Sequence, residues 1–383
     1  MSVFLETDEQ GEIRRAARTF VREQMPVTHL RGLRDGTISQ GRTRQLWAEA
    51  AELGWAGALV ADAQGGIELG MVDVGILLEE CGRTLAPTHL LGTAVMGASA
   101  LTLATTLAKD AGALAALELL AEGRAIYALA FEEQSRFAPY AVETTAARDA
   151  DGWVVTGHKT NVLDGPDADV LLVSARVSGA ANQRDGLALF RVDAKLPGVQ
   201  VRALDRVDSR SAARVQFDGV RVSDAHLLGS AGTGADILDV VLDRATAALA
   251  AEMLGSIQEM FDRTLAYLKE RTQFGAPIGS FQALKHRAAR MFCEVELTRS
   301  VVRAALHALD EGTADASALV SAAKARATDT YVLVSNEAVQ MHGGIGATDE
   351  LDIGFYLKRA RVAAMALGTA PYHRHRFGRL SGY

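Results

Sequence analysis

Apolar positions along the first 122 residues recur every three to four places, the spacing of helices with one buried face. Thr7-Asp8-Glu9-Gln10 reads as a capping box. A hydroxyl and a Gln side chain three residues apart satisfy the free amides at a helix start, and Ile13, Ala16, Ala17, Phe20 and Val21 follow at helical spacing. A second helix is predicted over 40–53, stopped by Gly54, and Gly65-Gly66 marks a turn before helical stretches at 71–86 and 91–122. The pattern changes at Gly123. Residues 124–131, Trp153 to Val155, Val170 to Val173, Leu187 to Val192, Val199 to Leu204 and Val215 to Val222 are short, β-branched runs parted by Gly, Asp and Pro. They predict a compact antiparallel β-domain. After Gly229 the helical period returns, with Ile257, Met260, Phe261, Leu265 and Leu268 on one stripe. Long helices around 236–269, 281–311 and 315–341 are expected to pack as a bundle. The fold class is therefore α+β in three parts: a helical domain over 1–122, a β-domain over 123–229 and a helical bundle over 230–383.

Composition narrows the function classes. The chain has 383 residues, enough for a large core, and its net charge of −7 is spread without blocks, which argues against a nucleic-acid partner. No run of eighteen apolar residues is evident, and the start MSVFLETDEQ lacks the basic-then-apolar order of a secretory signal. A cytoplasmic protein with no membrane partner is expected. Cys81 and Cys293 lie far apart in helical stretches and read as buried, reduced thiols. His373, Arg374, His375 and Arg376 read as a basic tail segment, with no further ligand that would make a metal site. Trp153 reads as β-domain packing, His342 as a turn residue, and Glu9, Glu12 and Glu23 as solvated helix positions.

Two stretches carry chemistry. In Arg271-Thr-Gln-Phe-Gly-Ala-Pro-Ile-Gly-Ser-Phe-Gln282, three helix breakers join two long helices, and the guanidinium of Arg271 suits an anionic pyrophosphate. Phe274 offers an apolar face and Gln282 an amide. About 65 residues on, Gln340-Met-His-Gly-Gly-Ile-Gly346 ends a helix with Gly343 and Gly344, where a ligand can approach the backbone closely. Either stretch alone is compatible with an ordinary turn. Together, in this order and on a helix–β–helix layout, they resemble the acyl-CoA dehydrogenase family. Leu46-Trp47 through Gly54-Trp55, Glu79-Glu80-Cys81-Gly82-Arg83 and Gly157-His-Lys159 extend the resemblance along the chain.

The resemblance implies an FAD cofactor shared between subunits, an acyl-CoA substrate, and a glutamate that removes the α-proton while a hydride leaves the β-carbon. It assigns Arg271, Phe274, Gln282, Gln340, Gly343 and Gly344 to cofactor binding and Asp243 to substrate binding. The chain departs from the family where the base belongs. The C-terminal turn reads Ala366-Leu367-Gly368-Thr369, and Leu367 cannot accept a proton. The alternative position on the long helix is Ala245. In the flavin-facing segments, Phe131-Glu132-Glu133 and Lys159-Thr160-Asn161-Val162-Leu163-Asp164 replace patterns that carry a stacking Trp and a hydrogen-bonding Thr; Asn161 and Leu163 stand there instead.

No catalytic residue is therefore assigned. By that resemblance, the residues matching those that reach a neighbour's FAD are kept, and those matching the ones that serve a chain's own site are lost. That is the pattern expected of the non-catalytic subunit in an α2β2 acyl-CoA dehydrogenase, which completes a homologous catalytic partner and acts on an acyl-CoA of steroid type. The alternatives are a self-sufficient homotetramer with a displaced base, drawn from Glu132, Glu133 or Asp243, and a flavin-free scaffold on the same fold.

Overall fold

The computed structural model describes residues 5–383, save the side chain of Ala108. Helices α1 (Asp8–Gln24), α2 (Val27–Arg34), α3 (Gln40–Glu52), α4 (Met71–Thr84), α5 (Ala98–Ala108) and α6 (Ala111–Ala121) come first. Strands β1 (Tyr127–Ala130), β2 (Thr145–Arg148), β3 (Trp153–Leu163), β4 (Val170–Arg176), β5 (Leu187–Asp193), β6 (Val199–Ala203), β7 (Ala212–Val222) and β8 (Leu227–Leu228) follow. Helices α7 (Gly234–Glu270), α8 (Gln282–Glu311), α9 (Ala316–His342), α10 (Ile353–Met365) and α11 (Ala370–Leu380) complete the chain. The helical, β, helical order is the one expected. By its contacts the chain forms two compact units: α1, α2, α4, α7 from Thr246 onward and α8–α11 make one, and Ser39–Gly70 with Pro87–Ala245 makes the other.

The helical unit begins with the expected cap. Gln10 N–H donates to Thr7 Oγ1 at 3.2 Å, and Thr7 N–H donates to the Gln10 side chain at 3.1 Å. Helix α4 crosses α7 backbone to backbone. A Cβ on Gly82 would come within 2.0 Å of the Glu252 carbonyl oxygen, and one on Gly255 within 1.8 Å of that of Glu79. Only glycine fits at either place. Beside the crossing, Glu80 is buried between Arg14 (2.7 Å) and Arg18 (2.9 Å), and Glu79 takes Arg14 at 3.0 Å and Arg299 at 3.3 Å. Burial opposes ionisation of Glu80, but the guanidinium donors prevail and hold its carboxyl below the usual range. This charge cluster explains the acidic pair in the sequence without chemistry.

In the other unit an eight-stranded sheet runs β6-β7-β3-β2-β4-β5-β8, with β1 paired to β4. The β1–β4 pairing is parallel, and β2 also meets β4 in parallel, so the expectation of a purely antiparallel domain is corrected. Strand β4 is buried almost throughout, which is why it reads as a continuous apolar run, whereas β7 alternates buried and exposed. Trp153, Val155, Val173, Phe190, Val215 and Phe217 share the core, with Trp153 and Phe190 ring centroids 5.4 Å apart. Arg176 closes the hairpin after β4 by donating to six backbone carbonyls, including Asp185 and Gln183 at 2.9 Å.

Two further expectations are corrected. Cys293 is exposed on α8, while Cys81 is buried as expected. The stretch 91–122 is not one helix: a π-helical segment, Leu90–Gly97, precedes α5, and Lys109 at positive φ separates α5 from α6. Leu90–Leu107 contains no unbroken apolar run but is long and apolar enough on average to cross a bilayer; 72% of it is buried, as in the core helix of a folded domain.

Candidate functional site

The two sequence motifs meet at one end of the helical unit. The chain leaves α7 at Glu270 and makes a two-residue hairpin, Thr272–Gln273 against Ala276–Pro277. Phe274 and Gly275 at its tip both have positive φ, +54° and +78°, the geometry of a type I′ turn. Glycine adopts this readily and phenylalanine does not. Phe274 is nonetheless held there with 94% of its surface exposed. An apolar ring kept in solvent on a strained backbone marks a position with work beyond folding. Arg271 and Gln282 flank the hairpin, both exposed. Tyr267 in the last turns of α7 stacks on His342 at the end of α9, centroids 4.5 Å apart, which sets the glycine stop beside the hairpin's base. His342 is buried, its Nδ1 2.7 Å from the Ala338 carbonyl. Gln340, Gly343 and Gly344 are exposed, and a Cβ on either glycine would meet nothing within 4 Å. All six residues assigned to the cofactor thus lie on one open, solvent-facing end.

The C-terminal turn has different chemistry. Leu367 is buried with φ +54°, and its carbonyl oxygen lies 2.8 Å from His373 Nε2. Lys324, buried in α9, donates from Nζ to the carbonyls of Ala363 at 3.0 Å and Gly368 at 2.9 Å. Burial pushes the Lys324 amine down to about 7 and the His373 imidazole down to about 4. His373 is therefore no surface tail residue; it and Lys324 fix a turn whose central side chain is a hydrocarbon. Sequence reasoning missed both, although a lysine inside an apolar helix face was a usable signal.

In the β unit, β3 bulges between Lys159 and Val162, and Asn161 takes positive φ. The bulge ties β3 to the chain after β1: Thr160 N–H donates to the Glu132 carbonyl at 2.8 Å, and the Asn161 side chain hydrogen-bonds the Glu132 carboxyl. Burial raises that carboxyl to about 7. Glu133 is fully engaged, with Lys159 Nζ at 2.6 Å and the N–H groups of Glu143 and Thr144 at 2.6 and 3.1 Å. Burial pushes Lys159 down to about 8, while its ammonium and these donors hold Glu133 below the usual carboxylate range. Glu133 is spoken for as a structural ion pair, whereas Glu132 keeps a titratable proton near neutral pH. Asp243 is buried on α7.

Models of the acyl-CoA dehydrogenase N-terminal, middle and C-terminal domains match residues 7–117, 128–220 and 232–380 in turn. Acyl-CoA dehydrogenase IpdE2 of Mycolicibacterium smegmatis is 31% identical over 86% of this chain and 85% of its own. The chain belongs to the acyl-CoA dehydrogenase family. Its fold superposes on a solved Tcur3481-Tcur3483 steroid ACAD variant with TM-score 0.84 and 31% identity over 98% of both chains. It also superposes on the ChsE4-ChsE5 complex of Mycobacterium tuberculosis with TM-score 0.88 and 27% identity over the full length of both. Family membership brings oxidoreductase chemistry on CH–CH bonds and FAD as cofactor.

The residues present fit FAD unevenly. The hairpin end, with an exposed guanidinium at Arg271 that has no ion pair among the described residues, an exposed ring at Phe274 and glycines open to close approach, suits a nucleotide cofactor. On the sheet, Asn161 spends its amide on Glu132 and presents no ring for a flavin to stack on.

Proposed function

We propose that this chain is the non-catalytic subunit of a hetero-oligomeric, FAD-dependent acyl-CoA dehydrogenase, completing the FAD site of a homologous catalytic partner in an α2β2 assembly. The observation that carries this reading is Leu367. It sits buried in the C-terminal turn with its carbonyl taken by His373, so the turn offers no group that accepts a proton. In this reading Arg271 pairs with the cofactor pyrophosphate, Gln282 and Gln340 donate amide hydrogens, and Gly343 and Gly344 let the backbone come close. Phe274 covers an apolar part of the cofactor and shields it from water. When bound, FAD supplies the hydride acceptor for α,β-desaturation of the thioester. Asp243 serves substrate binding, and the assembly is cytoplasmic.

Two solved relatives support a bulky substrate and a mixed assembly: the Tcur3481-Tcur3483 steroid ACAD and the ChsE4-ChsE5 complex. The test is co-purification with a homologous dehydrogenase subunit, followed by the flavin spectrum of the complex and of each chain alone. A second reading rests on Glu132. Its carboxyl, raised to about 7, is suited to proton transfer at neutral pH, so a self-sufficient enzyme would use it in preference to Glu133.

A further inference from the structure

The segment 343–352, which runs from the glycine stop to the start of α10, has little apolar burial to hold it in place. Gly346 is its one buried residue; Leu351 and Asp352 are half-buried and the rest face solvent. Its internal hydrogen bonds are local: the N–H and the hydroxyl of Thr348 both donate to the Ile345 carbonyl, at 3.1 and 2.8 Å. A segment of this kind opens readily unless its ends are tied. His342 ties the first end by stacking on Tyr267.

Helix α2 ties the other. Arg31 and Arg34 stand three residues apart, and so on one face of α2, and both reach the segment. Arg34 forks onto both oxygens of Asp349, while Arg31 donates to Asp349 at 2.8 Å and to Asp352 at 3.0 Å. Arg263 of α7 takes the other Asp352 oxygen at 3.2 Å. The two α2 guanidinium groups also lie over the Phe355 ring, 4.7 and 4.8 Å from its centroid. Hydrogen bonds from Arg34, then the charges of Arg34 and Arg31, hold the Asp349 carboxyl down at about 2, so it stays ionised at neutral pH. A single exposed ion pair contributes little, but here two forks, two carboxylates and one aromatic face constrain one another.

We propose that Arg31 and Arg34 are positioning residues for the glycine stop, clamping 343–352 so that Gly343 and Gly344 keep their outward-facing conformation. Gly343 sits at φ +64°, and a Cβ on either glycine would meet nothing within 4 Å, so packing at the glycines does not select this shape. The anchors on either side set it. The inference rests on the cofactor role given above to the glycine stop; it adds that an arginine 318 residues from Asp349 in sequence keeps that stop ready for its ligand.

The test is hydrogen–deuterium exchange of the full chain, read on peptides spanning 343–352, together with FAD titration of the complex co-expressed with a homologous subunit. In Arg31→Gln/Arg34→Gln the segment is expected to exchange at least about tenfold faster, and the complex to bind FAD at least about threefold more weakly. Asp349→Asn, which leaves the Phe355 stack in place, is expected to move both readings in the same direction. Sodium chloride at about 0.5 M should speed exchange in wild type and not in the double variant. Glu350→Gln, at an exposed neighbour with no ion pair among the described residues, should change either reading less than about twofold. Peptides from the α4–α7 crossing, exchanging at wild-type rates, certify the variants as folded. Wild-type exchange of 343–352 in both the double variant and Asp349→Asn overturns the clamp. Faster exchange with unchanged FAD affinity overturns its positioning role. A wild-type complex that takes up no FAD sinks the shared-site reading, and the positioning role with it, while exchange in the lone chain still decides whether the clamp exists.

Discussion

Lys324 Nζ lies 2.9 Å from the carbonyl oxygen of Gly368, an ammonium buried beneath the C-terminal turn with no carboxylate beside it among the described residues. Its amine is pushed from an ordinary 10.5 down to about 7, so between those values the folded chain binds fewer protons than the unfolded one. Stability therefore rises as pH rises from 7 to 10. Lys159, lowered to about 8, adds to the same slope. Lys324→Met should flatten the slope and strip the Ala363 and Gly368 carbonyls of their donor, a loss of about 1–3 kcal/mol that is larger at pH 10 than at pH 7. Urea midpoints at the two pH values measure both effects.

Glu132 gives a slope of the opposite sign. With its carboxyl raised from 4.5 to about 7, the folded chain keeps a proton that the unfolded chain has released. Stability from this group is full below 4.5 and is lost as pH climbs through 7. Glu132→Gln keeps the hydrogen-bonding shape without the titration, so its melting temperature should vary less than wild type between pH 5 and 7. If the isolated chain turns over acyl-CoA with a pH limb near 7 that vanishes in this variant, Glu132 is its base.

The α4–α7 crossing and the glycine stop make contrasting use of glycine. Gly255→Ala drives a Cβ into the Glu79 carbonyl at 1.8 Å and should destabilise by at least about 1–3 kcal/mol. Gly344→Ala meets nothing within 4 Å and should leave stability within about 0.5 kcal/mol while lowering the flavin content of the assembled complex. Chemical denaturation and flavin absorbance separate the two effects.

Phe274 should trade stability for function. Phe274→Gly relieves a positive φ of +54° and gives up a ring that is almost wholly exposed, so the lone chain should gain up to about 1 kcal/mol. The complex bearing it should retain less FAD, read from absorbance at equal protein concentration.

What the sequence disclosed and what it hid follow from how local each feature is. The Thr7 capping box was legible because its two hydrogen bonds span three residues. The helix–β–helix order was legible because the period of apolar positions changes at each join. The parallel β1–β4 pair was not, since Tyr127 meets Val170 only through tertiary structure. Cys293 falls on a helix with one buried face, and whether position 293 shares that face depends on packing that Met291 and Val295 join and Cys293 does not. His373 read as tail because its neighbours are basic; its burial depends on the Leu367 turn folding back to meet it. Of the site, the motifs and the hydrocarbon at Leu367 were visible as residue types. The strain at Phe274 and the proton held by Glu132 emerge only once backbone angles and burial exist.

Flavin content together with acyl-CoA-dependent dye reduction tests the subunit reading most directly. It should be measured on this chain alone and co-expressed with a homologous dehydrogenase subunit. The account predicts little flavin and no turnover from the lone chain, with both appearing in the complex. One FAD per chain and steady turnover from the isolated protein would contradict it.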